Sequence, residues 1–321
     1  MPDALSSSVP SSISRRGALA GLGALAASAA VGVTATPASA ATRTWGGPAP
    51  LIGPAGGEKL HVMSFNIRFD KAGTRPGQPD YWPERAPLVE QLIRVEKPTV
   101  LGVQEAEYTQ LPAVEAGLGA NYRMLGFGRD GGSGGEYSAI FYDTHRLTAL
   151  EWDQFWLSDT PDTAGSATWG NSVTRIVTWV RFTDAVSGVE FVAVNTHFDH
   201  ESENARQRSA SVLVELAGRF AGLPVVLTGD FNALAENSVA YSTLVGSGVF
   251  VDTWLTADQQ LTPEWGTFPN YKAPAIGEKR IDWLLTTPGD VVVHEAAIST
   301  WTKDGRWPSD HTPVHALLSF A

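Results

Sequence analysis

Cysteine is absent from the 321-residue sequence, so disulfides, thiolate metal sites and cysteine nucleophiles are excluded at once. Any metal must be held by Asp, Glu, Asn, His or water. That donor set suits a hard divalent cation, Mg²⁺ first, with Mn²⁺ or Ca²⁺ as alternatives. Basic residues are also scarce: 23 Lys and Arg stand against 34 Asp and Glu, a net charge of −11. Coating a nucleic acid needs clustered Lys and Arg, so no stable nucleic-acid complex is expected, although a grip on one or two phosphates stays open. Long apolar runs are missing as well. Ala18–Val33 comes nearest, but it is diluted with Gly and Ala and falls short of the ~20 residues a membrane span needs. What is present is a 43% hydrophobic composition, enough for a sizeable core and too much for wholesale disorder.

The N-terminus reads as an address. Ser14-Arg15-Arg16-Gly17-Ala18-Leu19 is a twin-arginine pattern, the apolar run follows, and Ala38-Ser39-Ala40 supplies an A-x-A cleavage site. This layout predicts a cleaved export signal over residues 1–40 that uses the twin-arginine (Tat) route, and a secreted, extracellular product. Cleavage would leave 21 of the 23 basic and 33 of the 34 acidic residues, net −12. Residues 41–57 are rich in Gly, Pro and Ala without periodicity and read as a flexible linker.

Residues 58–321 read as one domain, and a monomer is expected. Strand-like runs fall at Leu60–Phe65, Thr99–Val103, Ser138–Tyr142, Ile176–Phe182, Phe191–Asn195, Val225–Thr228, Ile281–Thr286 and Val314–Ser319. Helical periodicity marks Pro83–Val95 and Asn204–Phe220. Many strands, few helices and no internal repeat predict an α/β fold with two packed sheets flanked by helices.

Chemistry collects where the apolar runs stop. Leu60–Phe65 ends in Asn66. Val100–Val103 ends in Gln104-Glu105. Phe191–Val194 runs into Asn195-Thr196-His197-Phe198-Asp199-His200, and Val225–Leu227 into Thr228-Gly229-Asp230-Phe231-Asn232-Ala233. Arg280-Ile281-Asp282-Trp283 opens a strand, and Ser309-Asp310-His311 precedes the last one. Taken singly, an Asp or Asn after a strand is more often a turn former, and a lone His is more often a hydrogen-bonded structural residue. Turn chemistry does not call for all of these blocks in one chain.

Together they resemble the endonuclease/exonuclease/phosphatase superfamily, the deoxyribonuclease I-like fold, over essentially Lys59 to Ala321. Thr228-Gly229-Asp230-Phe231-Asn232-Ala233 and Ser309-Asp310-His311 are the most specific blocks. Tyr81-Trp82 with Arg85, Gly128-Arg129-Asp130-Gly131, Gly135-Glu136-Tyr137 and Phe155-Trp156-Leu157-Ser158 look like a secreted bacterial subgroup. The resemblance implies two mainly antiparallel sheets in a four-layer α/β/β/α sandwich and hydrolysis of a phosphate ester with a divalent metal. Glu105, Asn66 and Asp310 would then be the metal ligands. Asp230 would orient or deprotonate the attacking water, and Asn232 would donate to a phosphate oxygen. His311, with Asp282 as its carboxylate partner, and His197 would complete the catalytic set.

Arg68, Arg129, Arg175, Asn195, His200 and Trp82 are candidates for lining the substrate pocket, with Trp307 beside them. Some nucleases of the superfamily carry an acidic residue where Arg68 stands, and the change hints at a second anionic group on the substrate. The expected substrate is a small sugar-, lipid- or envelope-linked phosphodiester or phosphomonoester. An extracellular nuclease of the same chemistry is the alternative, and a non-enzymatic binding protein would be expected to have lost one of Glu105, Asp230, Asn232 or His311.

Overall fold

The computed structural model describes residues 49–321, and the expected export signal, with the first part of the expected linker, lies outside the described residues. In chain order the elements are β1 (Leu60–Asn66), α1 (Trp82–Glu96), β2 (Val100–Gln104), α2 (Leu111–Leu118), β3 (Tyr122–Leu125), β4 (Ile140–Asp143), β5 (Leu147–Trp156) and β6 (Ile176–Asp184). They continue with β7 (Glu190–His197), α3 (Glu203–Arg219), β8 (Val225–Asp230), α4 (Val239–Tyr241) running into a π-turn at Ser242–Gly246, β9 (Val251–Asp252) and α5 (Thr253–Thr256). The last are β10 (Gln259–Gln260), β11 (Asp282–Thr286), β12 (Val291–Ile298) and β13 (Val314–Phe320).

The strands form a seven-stranded sheet, β10-β12-β13-β1-β2-β4-β3, and a six-stranded sheet, β5-β6-β7-β8-β11-β9. Eight of the eleven strand pairings are antiparallel; β1/β2, β7/β8 and β10/β12 are parallel. Alternation along each strand sorts side chains into layers. Leu60 and Val62 of β1 meet Ala193 of β7 and Val226 of β8 between the sheets. Met63 and Phe65 face the other way, onto Leu88, Val89 and Leu92 of α1. Val192, Val194 and Leu227 pack on Leu213 and Leu216 of α3. Covered on both faces, the central strands are nearly continuous apolar runs, which is why they are legible. The result is the four-layer sandwich.

Two long strands, β5 and β12, escape the sequence reading because each carries a bulge, at Ala149/Glu151 and Val293/Glu295, that breaks the period of two. The linker expectation needs correction at its end. The backbone N–H groups of Leu51, Ile52 and Gly53 donate to the buried Glu96 carboxylate at 2.9, 3.3 and 3.2 Å, and His61 Nδ1 donates to Gly53 O at 2.8 Å. A Gly/Pro-rich composition cannot reveal that a distant carboxylate pins these residues. No helix among the described residues is long and apolar enough to cross a membrane.

Candidate active site

The gap between the sheets changes character along the strands. In β8, Val226 is followed two residues on by Thr228 and then by Asp230. In β7 the series is Ala193, Asn195, His197, and in β1 it is Val62, Ser64, Asn66. Side chains two apart share a face. Registers Asn195↔Thr228 and His197↔Asp230 keep the two parallel strands level, Asn66↔Gln104 does so in the other sheet, and antiparallel β11 puts Asp282 opposite Asp230. An apolar layer is thus capped by a polar one, and the polar one by acids and imidazoles at the mouth.

The middle layer is a sealed hydrogen-bond network. Asn195 Nδ2 donates to Val103 O at 2.8 Å and Ala139 O at 2.9 Å, while its Oδ1 accepts from Gln104 Nε2 at 2.7 Å and Thr228 Oγ1 at 3.0 Å. Gly102 is required here, because a Cβ would lie 2.3 Å from Thr228 Oγ1. Asn195, counted with the pocket candidates but more as a buttress than as a reacting group, is fully buried away from the cavity and ties the two sheets together.

At the mouth, ligand atoms of Glu105, Asp230 and His311 lie within 4.8 Å of one another, all buried. Asn66 Nδ2 stands among them, 2.9 Å from Glu105 Oε1, 2.9 Å from Asp230 Oδ2 and 3.4 Å from His311 Nε2. Its Oδ1 accepts the Arg68 backbone N–H at 3.0 Å. Asn66 therefore works as a donor that holds two carboxylates, and metal ligation through Oδ1 would require its amide to turn over. His311 Nδ1 donates to Asp282 Oδ2 at 2.9 Å, which directs Nε2 toward Asp230. Asn232, expected to donate to phosphate, spends its amide hydrogens on His197 Nε2 at 3.0 Å and Phe198 O at 3.1 Å. Its backbone N–H donates to Asp230 Oδ1 at 2.9 Å, so it braces the carboxylate from behind.

Arg68, Glu105 and Asn232 all have left-handed backbones, with φ of 59°, 60° and 47°. Such residues cost about 1–3 kcal/mol each and concentrate at functional sites, here turning side chains back over the strand ends.

The electrostatics divide the two imidazoles. Burial disfavours the charged form of His311, but Asp282 and Asp230 outweigh it and hold its pKa well above the ordinary value. Burial, then the cations Arg175 and Arg129, push His197 well below, so it is neutral. Of the two, His311 is the imidazole that holds the extra proton. Burial, with Asp282 beside it, pushes Asp230 up to about 7 against the pull of His311. Burial also pushes Glu105 up, but His311, Arg68, Asn66 and the Phe69 N–H together bring it below the usual carboxylate range.

These groups open into a cavity of about 380 Å³ whose walls include Arg68, Phe69, Arg129, Glu136, Val173, Arg175, His200 and Phe268. Arg175 is only 4% exposed. Its Nη2 lies 3.0 Å from His200 Nδ1, Asp199 Oδ2 stands 3.5 Å from Nε, and Nη1 has no hydrogen-bond partner among the described residues. Arg129 pairs with Glu136 at 2.7 Å. Arg68 does not wait for a second substrate anion: it meets Asp80, Glu105 and Asp310 at 3.2, 3.4 and 3.5 Å. Asp310 is accordingly a partner of Arg68 and Ser309, outside the converging trio. Trp82 also departs from expectation. It is a buried member of the α1 core with Arg85 over its ring, because the apolar face of a helix, not a loop, carries it.

Sequence reasoning undervalued Arg85 and Glu136. Arg85 is 1% exposed and donates to Ile67 O, Pro308 O, Arg68 O and Phe69 O at 2.6–3.1 Å, fastening the two loops that carry Arg68 and Asp310. Both residues lie in the blocks Tyr81-Trp82…Arg85 and Gly135-Glu136-Tyr137, which were the available signal.

The endonuclease/exonuclease/phosphatase family model matches residues 63–311. The chain belongs to that family. A family member from Bacteroides thetaiotaomicron of solved structure is 33% identical, with a TM-score of 0.77 over 83% of this chain and 100% of the other. A mannosyl-6-phosphatase from the same organism is 34% identical, with a TM-score of 0.74 over 81% of this chain and 100% of the other. The human Nocturnin catalytic domain shares the fold at 19% identity, with a TM-score of 0.62 over 82% and 94%. No curated protein matches the sequence significantly. Family members are hydrolases acting on phosphate esters.

A divalent cation fits the carboxylate oxygens. Glu105 and Asp230 converge, Asp282 and Asp310 stand close by, and the protonated His311 beside them is a charge partner for the carboxylates and not itself a ligand.

Proposed function

We propose that this protein is a metal-dependent phosphomonoesterase that removes a terminal phosphate from a small sugar-type alcohol. The observation that carries the reading is the position of Arg175, buried in the wall of the cavity that holds Asp230 and His311, with an Nη1 that no acceptor among the described residues uses. A monoester phosphate carries up to two negative charges and a single substituent, which suits Arg175 together with the cation that the carboxylates would hold, since Arg68 and Arg129 already face carboxylates. The mannosyl-6-phosphatase at 34% identity supports a sugar as the alcohol. Residues 1–40 are proposed to export the folded protein by the twin-arginine route.

In the proposed reaction Arg175 holds the phosphate through charge-assisted hydrogen bonds. Asp230, poised near neutrality, accepts a proton from water as the water oxygen bonds to phosphorus. The bond between phosphorus and the sugar oxygen breaks, the departing oxygen takes up the proton that Asp230 accepted, relayed through water, so that free alcohol and phosphate leave, and the protonated Nε2 of His311 faces the charge that develops on the phosphoryl oxygens. Asp282 keeps that imidazole oriented, while Asn66 and Asn232 fix the two oxygens of Asp230. Glu105 is the principal residue that would hold the cation, with Asp230 and His311 next to it, and a bound cation would neutralise the non-bridging oxygens.

Release of phosphate from hexose 6-phosphates and p-nitrophenyl phosphate, against bis-p-nitrophenyl phosphate and plasmid DNA, tests the proposal. Faster turnover of the monoesters is expected. Preference for the diester or for plasmid would replace it with a diesterase or nuclease.

A further inference from the structure

The catalytic cavity has a neighbour that the phosphoryl chemistry does not use. Three loops meet beside it: residues 70–80, 268–272 and 303–307. They enclose two adjoining cavities, one of about 580 Å³ walled by Lys71, Thr74, Gln78, Asp80, Asn270 and Lys272, the other of about 280 Å³ ending at Arg306 and Trp307. Pro79 and Tyr271 line both. Asp80 joins this groove to the catalytic pocket, because its Oδ1 accepts from Tyr271 Oη at 2.7 Å and from Arg68 Nε at 3.2 Å. Phe69 and Phe268 of the catalytic pocket are on the same two loops as Lys71 and Asn270.

The groove is built for a ligand that is flat on one side and polar at its edge. Tyr271 and Trp307 are half-exposed rings, and no protein acceptor among the described residues takes the Trp307 indole N–H. Around them stand the carboxamides of Gln78 and Asn270, the Thr74 hydroxyl, the Asp80 carboxylate and the cations of Lys71, Lys272 and Arg306, all able to hydrogen-bond sugar hydroxyls. Asn270 and Tyr271 hold consecutive left-handed conformations, φ 52° and 61°, a strain this loop carries next to the site. Aromatic faces beside carboxamides and a carboxylate match the C–H face and hydroxyl rim of a pyranose.

We infer that this groove binds the sugar residues next to the phosphorylated one, so that the substrate is a phosphate at the end of an oligosaccharide. The inference rests on the phosphomonoesterase reading and extends it from a free sugar phosphate to a glycan end. Trp307 is then a specificity-determining residue.

Two measurements on Trp307→Ala test it. In kinetics, KM for a phosphorylated trisaccharide is expected to rise about tenfold, as loss of one aromatic stacking contact implies, while p-nitrophenyl phosphate turnover stays within about twofold. Trp307→Phe, which keeps a ring, is expected to recover most of the loss, and this separates lost stacking from a damaged fold. Titration of the unsubstituted protein with the unphosphorylated trisaccharide, followed by tryptophan fluorescence, needs no catalysis. Saturable binding that Trp307→Ala abolishes supports the groove. Absence of such binding, an equal KM change for both substrates, or a larger effect on a 5′-phosphorylated oligonucleotide would overturn it. A protein that hydrolyses none of the phosphate esters yet binds the trisaccharide through Trp307 would refute the phosphomonoesterase reading and leave the sugar site standing.

Discussion

Asn195→Leu removes the clasp beneath the active site while keeping the number and branching of side-chain heavy atoms. Four hydrogen bonds vanish, at 2.7 to 3.0 Å, all in the closed inter-sheet gap. At about 1 kcal/mol each the loss is about 4 kcal/mol, and a buried group left without a partner adds about 1–3 kcal/mol. Thr228 Oγ1 can turn its single hydrogen wholly to Val194 O, and Gln104 Nε2 keeps Ser64 Oγ, so these two are not orphaned. A domain has only about 5–15 kcal/mol in total, so the change is a large part of its stability. Urea unfolding followed by tryptophan fluorescence should show a loss of at least about 3 kcal/mol. Turnover of the folded variant should also fall, to roughly a hundredth, because Gln104 precedes Glu105 and Thr228 lies two residues before Asp230. A destabilisation below about 1 kcal/mol would refute the view that this network holds the sheets in register.

Asp282→Asn is expected to lower kcat about 10²–10⁴-fold with little change in KM, since it removes the partner that orients and charges His311; steady-state kinetics near the wild-type kcat would contradict that role. Arg175→Met should raise KM for a phosphomonoester by roughly 10–100-fold, the worth of charged hydrogen bonds, and an unchanged KM would remove Arg175 from the phosphate site. Burial holds His61 and His315 at about 3 in the folded protein, against about 6.5 unfolded. The unfolded chain therefore takes up more protons below that value. Stability is complete above about pH 6.5 and falls as pH drops toward 3, by at most about 1.4 kcal/mol per pH unit for each histidine. Urea midpoints between pH 7 and pH 5 should decline, and the slope should shrink in His315→Leu; a flat profile would exclude these two groups.

How much of this was legible follows from geometry. The catalytic blocks stood out because apolar strands covered on both faces end abruptly in Asn66, Glu105, His197 and Asp230, a contrast that composition registers. Depth did not register. Asn195 and His197 share a face of β7 and belong to one motif, yet one seals the sheets while the other, roughly 6–7 Å further along, reaches the mouth. Trp82 stood one residue outside the helix expected from Pro83, whereas that proline lies in the first turn of α1 and the indole belongs to the helix's apolar face. The partners of Arg68 come from three separate segments, Asp80, Glu105 and Asp310, so its neutralisation is a tertiary fact that local spacing cannot carry. Amide orientation was equally out of reach: which end of Asn66 or Asn232 faces the pocket depends on acceptors contributed by other strands.

Metal-dependent hydrolysis of a phosphomonoester at the Glu105–Asp230–His311 cluster is the central claim. The direct measurement is phosphate release from a hexose 6-phosphate after EDTA treatment, then after adding back Mg²⁺, for the unsubstituted protein and for Glu105→Gln. The account predicts loss of activity with EDTA, recovery with Mg²⁺, and little recovery in the variant. Turnover that persists in EDTA, or a variant that Mg²⁺ restores as fully as the unsubstituted protein, would contradict it.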